Sequence, residues 1–175
     1  DSTRQALFIR EKLRMNPLLV CMGYPPRQVT DLGAQNLENL IELGFDLEII
    51  GVSPHVWKKL IREAFLKFGN WGKATEMALF ASVPRIAALY NIPLILWGEN
   101  PALQVGDEGV ASAEGWDGNN IKKLNTLGGG DIQWMFDAGI DEKELFFFKF
   151  PTETEFSEKK INIIYLGWFL EDWSF

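Results

Sequence analysis

The sequence predicts an α/β protein with a doubly wound, mostly parallel sheet and helices on both faces. Short, continuously apolar runs such as PLLVCM (17–22) and PLILW (93–97) are typical of strands buried on both faces of a parallel sheet. Segments with helical spacing of apolar residues lie between these runs, and this alternation is the pattern of doubly wound folds. At 175 residues and 47% hydrophobic content, the chain is expected to form a single domain, residues 1–175.

Residues 1–16 predict an amphipathic helix at the start of the chain. Apolar Ala6, Ile9 and Leu13 recur at the spacing of one helix face. Pro17 disfavours helical backbone in the residue before it, so the helix is expected to end there. The apolar strand PLLVCM follows directly.

A second helix and a second strand follow the loop GYPPRQ. Thr30 or Asp31 can cap this helix, and Gly44 is a natural residue to follow its last turn. The run LEIIGVS (47–53) is the next predicted strand. A third helix is then expected over residues 54–68.

The second half of the chain begins with a long predicted helix over residues 74–90, bent at Pro84. The strand PLILW comes next. Residues 101–130 are rich in glycine and acid without periodicity, which predicts a long loop or lid. The remaining predicted elements are short helices at 132–138 and 141–145 and a last strand at 161–169.

Composition narrows the function classes. A formal charge of −7, with 24 acidic against 17 basic residues, makes nucleic acid an unlikely partner. Cys21 is the one cysteine and His55 the one histidine, which excludes a disulfide framework and argues against zinc. A reducing, cytoplasmic setting is expected. No apolar run approaches the ~20 residues that cross a bilayer, so no membrane association is expected.

The ends of the predicted strands indicate where a ligand would bind. Open α/β sheets bind ligands outside the carboxyl ends of their strands. Residues 21–23, 51–53 and 98–100 occupy those ends. Asp1 and Ser2 begin the first helix, whose N-terminus attracts anions such as phosphate, although a simple helix cap is the alternative.

Four segments resemble a known family. They are DSTRQALFIREKLRMNPLLV, QNLENLIELGFDLEII, VPRIAALYNIPLILWGENP and IIYLGWFLEDW. These segments are similar to the N-acetyl sugar amidotransferases, PP-loop ATP pyrophosphatases of bacterial surface-polysaccharide and nonulosonic acid biosynthesis. WGENP and IYLGW are the most distinctive pieces. The resemblance extends across most of the chain and weakens between residues 101 and 145.

The resemblance implies an ATP-dependent reaction on the N-acetyl group of a sugar. ATP and Mg²⁺ adenylate the carbonyl oxygen with release of pyrophosphate, and ammonia then displaces AMP to leave an acetamidino group. Activation is needed because an amide oxygen is a poor leaving group. Ammonia is expected from a separate glutaminase subunit, since Cys21 lies in a strand and His55 at a different helix start.

The resemblance also implies which residues meet the nucleotide. Asp1 and Ser2 match the end of a Ser-Gly-Gly-x-Asp-Ser loop that holds pyrophosphate, and Asp1 is the candidate Mg²⁺ ligand. The first strand and the Ser-Gly-Gly part are absent from this sequence, so we expect a fragment of a longer protein. Residues 19–22 match the strand whose backbone meets adenine. The nucleotide-binding set is Asp1, Ser2, Thr3, Val20, Cys21, Met22 and Gly98.

Two further pairs of residues are assigned to the reacting sugar. Glu99 and Asn100 match the family's GEN and are the catalytic candidates, with metal, ribose or sugar contacts. Arg85 and Lys73 are candidates to bind substrate phosphate or a sugar carboxylate. Alternatively, Glu99 caps a turn or pairs with Arg85, and both basic residues are solvated surface groups.

Two other functions stay open at this point. One is a different PP-loop chemistry such as tRNA thiolation, which the acidic charge disfavours. The other is a nucleotide-binding module without turnover. The aromatic stretches FFFKFP (146–151) and WFLEDWSF (168–175) also indicate a surface covered by a missing segment or a partner, a second copy of the chain included.

Overall fold

The computed structural model describes residues 2–23, 29–98, 118–124 and 126–169. It is a mixed α/β structure with short parallel strands, which confirms the α/β class. The described strands form two pairs, so the doubly wound sheet stays a prediction. The described chain forms two compact units, one up to Ser53 and one from Pro54 onward. The expectation of a single domain stays a prediction.

The first unit is a β-α-β arrangement preceded by a helix. Its two strands pair in parallel, in a register that runs from Leu18 opposite Asp46 to Gly23 opposite Gly51. Its second helix begins where predicted, because the Thr30 hydroxyl accepts a hydrogen bond of 3.1 Å from the Gly33 N–H. The elements are α1 (Ser2–Glu11), β1 (Leu18–Gly23), α2 (Asp31–Glu42) and β2 (Asp46–Gly51).

Helix α1 is shorter than the sequence predicted. It ends at Glu11, and Arg14 takes a left-handed conformation with φ of 57°. Ala6 and Ile9 are buried as expected, whereas Leu13 is exposed. The apolar spacing continued past the point where the backbone leaves the helix.

The small core of the first unit forms around Phe45. Ala6 of α1 and Leu40 of α2 are buried with it. The Arg10 guanidinium lies 4.2 Å from the centre of the Phe45 ring and donates a 2.6 Å hydrogen bond to the Leu43 carbonyl. This contact ties the end of α1 to the turn between α2 and β2.

The second unit contains the other strand pair. Its strands are parallel, from Leu94 opposite Asn162 to Trp97 opposite Tyr165. The helices and strands are α3 (Pro54–Phe68), α4 (Lys73–Tyr90), β3 (Leu94–Trp97), α5 (Gln133–Asp137), α6 (Glu153–Glu158) and β4 (Asn162–Tyr165). Short 3₁₀ helices cover Gly118–Lys123, Gly128–Gly130, Glu142–Phe148 and Leu166–Phe169.

Helix α4 continues through Pro84 to Tyr90. Proline removes one hydrogen bond of the helix, which ordinarily favours a break. Here much of the helix is buried, including Met77 and Ala81, so packing against the unit outweighs that loss. Asn91, with φ of 55°, ends the helix in the left-handed region.

The elements after residue 140 differ most from the prediction. Strand β4 ends at Tyr165 and continues as the 3₁₀ helix Leu166–Phe169, so the prediction of a strand to residue 169 is wrong. The helix predicted at 141–145 is a 3₁₀ helix over Glu142–Phe148. Helix α6 was not predicted, although the T-x-x-E spacing of its capping box was present in the sequence.

The aromatic run at 146–151 is less exposed than expected. Phe148 is completely buried and packs edge-on against Trp57, with ring centres 5.7 Å apart. Phe146 remains 41% exposed. The chain itself therefore covers Phe148. Cover of the exposed part of the run by a missing segment or a partner stays a prediction. Residues 170–175 lie outside the described part.

Candidate functional site

The carboxyl ends of β1 and β2 lie side by side and both end in glycine. Gly23 pairs with Gly51, and Met22 pairs with Ile50. A Cβ on Gly23 would lie 3.0 Å from the Ile49 Cγ2 atom and 3.1 Å from the Ile50 carbonyl oxygen, so a larger residue would fit only with a shift of a few tenths of an ångström. A Cβ on Gly51 would meet no atom of the described residues within 4 Å.

The predicted adenine contacts lie on β1. Val20 and Cys21 are half-buried and Met22 is buried. The Cys21 thiol donates a weak hydrogen bond of 3.7 Å to the Met22 carbonyl. Burial raises the pKa of this thiol, so it stays protonated at neutral pH and is a poor nucleophile.

The predicted pyrophosphate contacts fall at the start of α1. Ser2 is the first residue of this helix and is exposed, and Thr3 is half-buried. Asp1, the candidate Mg²⁺ ligand, lies outside the described residues. Its role stays a prediction.

Strand β3 leads directly to the predicted catalytic residues. Gly98 follows the strand and is half-buried. Trp97, the last residue of β3, stacks on Phe80 of α4 at 5.1 Å between ring centres, which fixes this end of the strand. Glu99 and Asn100 lie outside the described residues, so their catalytic role stays a prediction.

Arg85 makes structural contacts in the second unit. Its guanidinium donates to the carbonyls of Lys149 and Phe150, at 3.2 and 2.8 Å, and to the Glu155 carboxylate at 3.0 Å. The side chain is largely buried. These bonds attach the segment before α6 to the middle of α4, so Arg85 is not the solvated group of the alternative interpretation. The acidic partner that the structure shows is Glu155.

Lys73 is the first residue of α4 and is also buried, with 8% of the residue exposed. Its ammonium donates a 2.7 Å hydrogen bond to the Thr126 carbonyl. It also lies 4.8 Å from the centre of the Phe68 ring. Surface solvation is therefore excluded for Lys73 as well.

The charge of Lys73 is set by opposing effects. Burial lowers the pKa of its amine, and the carboxylates of Asp131 and Glu76 raise it. Gly128 lies beside this amine, since a Cβ there would be 3.5 Å from the Lys73 Nζ atom. The sequence analysis singled out Lys73 and the glycine-rich segment 101–130, but nothing in their spacing indicated that the two meet.

Comparison with known proteins assigns neither a family nor a function to the chain. No protein-family model matches the chain, and a comparison with curated proteins finds no match. Within the described ranges, no three His, Cys, Asp or Glu residues group as a metal site. No helix in the described part is long and apolar enough to span a bilayer.

Proposed function

We propose that the chain belongs to a PP-loop ATP pyrophosphatase with a doubly wound parallel sheet, which converts a sugar N-acetyl group to an acetamidino group. The observation that carries the proposal is the register of β1 and β2, which brings two glycine-ended carboxyl termini together. Ligands of open parallel sheets bind at such ends. The resemblance of residues 1–20 and of WGENP to the sugar amidotransferases supports the chemistry.

The nucleotide is proposed to lie along the end of β1. The backbone of residues 20–22 meets adenine there, and close approach is favoured because neither Gly23 nor Gly51 carries a side chain. Ser2 and Thr3, at the start of α1, contact the pyrophosphate part of ATP. Asp1 is the proposed ligand of the Mg²⁺ that accompanies ATP.

The sugar amide is proposed to meet Glu99 and Asn100 beyond β3. ATP supplies the activation, because it turns the amide oxygen into an AMP leaving group. Ammonia then attacks the carbon, AMP leaves, and one proton is lost to give the acetamidino product. The proposed role of Glu99 and Asn100 is to orient the amide and the ribose. Arg85 is less suited to substrate than the sequence suggested, since its guanidinium already makes structural hydrogen bonds.

A separate glutaminase fits the state of the one cysteine. A glutaminase nucleophile is an activated thiolate. The Cys21 thiol has a raised pKa and donates to a backbone carbonyl. We therefore propose that the ammonia comes from a partner protein.

Pyrophosphate release tests the proposed reaction. Full-length protein is incubated with Mg²⁺, ATP and ammonium chloride, which replaces the glutaminase, and with a panel of N-acetyl sugars. We expect release with at least one N-acetyl sugar and none with the matched de-N-acetylated amine. Absence of release with every N-acetyl sugar contradicts the proposal. ATP binding without release would indicate a nucleotide-binding module, and release dependent on tRNA would indicate another PP-loop chemistry.

A further inference from the structure

We propose that the exposed side chains of α3 and of the turn after it bind the surface of an anionic lipid bilayer. This basic-aromatic surface consists of Lys58, Arg62, Phe65, Leu66, Phe68 and Trp71. The inference goes beyond the proposed reaction and does not rest on it, because binding to lipid needs neither ATP nor a sugar. The expectation of no membrane association rested on the lack of a spanning segment, and a surface contact needs no such segment.

The first argument is a cluster of exposed apolar side chains where α3 ends. Phe65, Leu66, Phe68 and Trp71 are between 44 and 68% exposed. Helix α3 is held in its unit by other side chains, which are buried, namely Val56, Trp57, Leu60 and Ala64. Clustered apolar groups that the fold leaves in water are typical of a surface that binds a protein or a membrane.

The second argument is the positive charge beside these side chains in a chain that is acidic as a whole. Residues 54–72 contain four basic residues and one acidic residue, whereas the full chain carries a charge of −7. Lys58 and Arg62 are exposed and have no ion-pair partner among the described residues. Asp137 of α5, 3.8 Å from Lys67, offsets one of the four charges. The remaining positive charge complements anionic lipid headgroups.

The arrangement of the apolar side chains favours a bilayer over a groove on another protein. Successive helical residues point about 100° apart, so Leu66 lies on a different face from Phe65. Phe68 lies three residues after Phe65 and shares its face. A groove accepts one stripe of anchors at helical spacing. A bilayer interface accepts apolar side chains from more than one face of a helix end, together with tryptophan and basic residues.

Nucleic acid would use only part of the basic-aromatic surface. Phosphates would pair with Lys58 and Arg62, and bases could stack on the aromatic rings. Leu66 would remain in water. An anionic bilayer accommodates both kinds of group, because its headgroups attract the basic residues and its acyl boundary takes up the apolar ones.

Co-sedimentation of the full-length protein with lipid vesicles tests binding. One set of vesicles contains phosphatidylcholine alone, and the other contains phosphatidylcholine and phosphatidylserine in equal parts. We expect the protein to sediment with the anionic vesicles, to sediment less with the neutral ones, and to be released as the salt concentration rises. No sedimentation with anionic vesicles, or equal sedimentation with both sets, would overturn the proposal. Binding of tRNA without binding of vesicles would overturn it in favour of nucleic acid.

A pair of double variants tests the apolar part of the basic-aromatic surface. Phe65→Gln combined with Leu66→Gln is expected to weaken binding to anionic vesicles by about tenfold or more, because two buried apolar groups are lost. The control is Leu32→Gln combined with Ile41→Gln in α2. These two residues are equally exposed, but α2 contains three acidic residues and no basic one. An equal loss of binding in both double variants would contradict the assigned surface.

A second pair tests the charge. Lys58→Gln combined with Arg62→Gln is expected to weaken binding by about tenfold or more, since each basic residue near an anionic surface contributes about fivefold. Lys143→Gln combined with Lys160→Gln removes the same charge from exposed residues elsewhere in the second unit and should weaken binding much less. Equal effects of the two double variants would show that net charge, and not this surface, governs binding.

Tryptophan fluorescence locates the contact without any loss of binding. Vesicles with bromine on their acyl chains quench the fluorescence of indole rings that enter the bilayer. Bound wild-type protein should be quenched, and bound Trp71→Phe, which keeps an aromatic ring, should be quenched much less. Equal quenching of the two proteins would show that a different part of the chain meets the lipid and would overturn the proposal, even if the double variants failed to fold.

Discussion

The two strand pairs share a parallel geometry but differ in how well they are covered. In β1 and β2, Met22 and Ile50 are buried, while Ile49 is 51% exposed. In β3 and β4 two residues of each strand are buried, namely Ile95, Trp97, Ile163 and Tyr165. The apolar runs of β1 and β3 look alike in sequence, so a run of this kind predicts a strand without predicting its burial.

The second pair is better covered because its own unit supplies more neighbours. Phe80 of α4 stacks on Trp97, and the Asn119 side chain accepts a 3.2 Å hydrogen bond from the Ile163 N–H. The first unit has a small core around Phe45. Strands with less buried apolar surface open more easily, so amides of β1 and β2 should exchange faster than those of β3 and β4.

The largest expected effect is a difference in stability between alanine substitutions of two isoleucines, one in each strand pair. Ile163→Ala, at 1% exposure in β4, should lower the free energy of unfolding by about 3 kcal/mol because it leaves a cavity. Ile49→Ala in β2 should cost about 0.5 kcal/mol or less. Urea unfolding followed by tryptophan fluorescence measures the first, since all seven tryptophans lie at or after Trp57.

Circular dichroism in the same titrations reports on both units and measures the effect of Ile49→Ala. Equal destabilisation by the two substitutions would show that β2 is as well covered as β4. That result would remove the contrast between the strand pairs.

A smaller effect is expected at the ionic contact that attaches the segment before α6. Arg85→Met should destabilise the second unit by about 2 kcal/mol, because two carbonyls and Glu155 lose a charged donor. Lys59→Met, which removes one hydrogen bond at the surface, should cost about 0.5 kcal/mol or less. Thermal unfolding followed by tryptophan fluorescence compares them. A wild-type midpoint in Arg85→Met would show that the guanidinium does not stabilise the fold.

The smallest expected effect is a pH dependence of the stability that the Glu155 carboxylate contributes at this contact. The Thr152 N–H, more than the Arg85 charge, lowers the pKa of Glu155. A lowered folded-state pKa gives stability that is present above the unfolded value of about 4.3 and lost as the pH falls through the folded value. Glu155→Gln should therefore be less stable than wild type by about 1 kcal/mol or less at neutral pH, because the carboxylate is partly exposed.

Urea unfolding from about pH 7 down to about pH 3 measures this difference. The two proteins should converge at the acid end of the series. A difference that does not change with pH would show that Glu155 acts through its shape and not through its charge.

Local signals predicted the first half of the fold well. The Pro54 start and Phe68 end of α3 match the prediction, and Thr30 caps α2 as its side chain suggested. The end of β4 was not predictable from hydropathy, because the 3₁₀ helix that follows it is equally apolar. Position along an apolar run does not say where the backbone stops pairing.

The candidate site was less predictable because its contacts join distant residues. Lys73 meets Thr126 and Gly128, more than fifty residues further along the chain, and no periodic pattern encodes that contact. Arg85 was proposed as a substrate-binding residue because of its charge, yet its guanidinium donates hydrogen bonds to the carbonyls of residues 149 and 150. Sequence identified both basic residues without indicating that each donates to a backbone carbonyl of a distant segment.

The most direct test of the central claim, that the end of β1 faces a nucleotide, uses the single cysteine. Full-length protein labelled with ¹⁵N-cysteine gives one backbone amide signal from this chain, that of Cys21. Saturating Mg·ATP should move that signal, and Mg²⁺ with pyrophosphate, which lacks adenine, should move it much less. An unmoved Cys21 signal at an ATP concentration shown by calorimetry to saturate the protein would contradict the account.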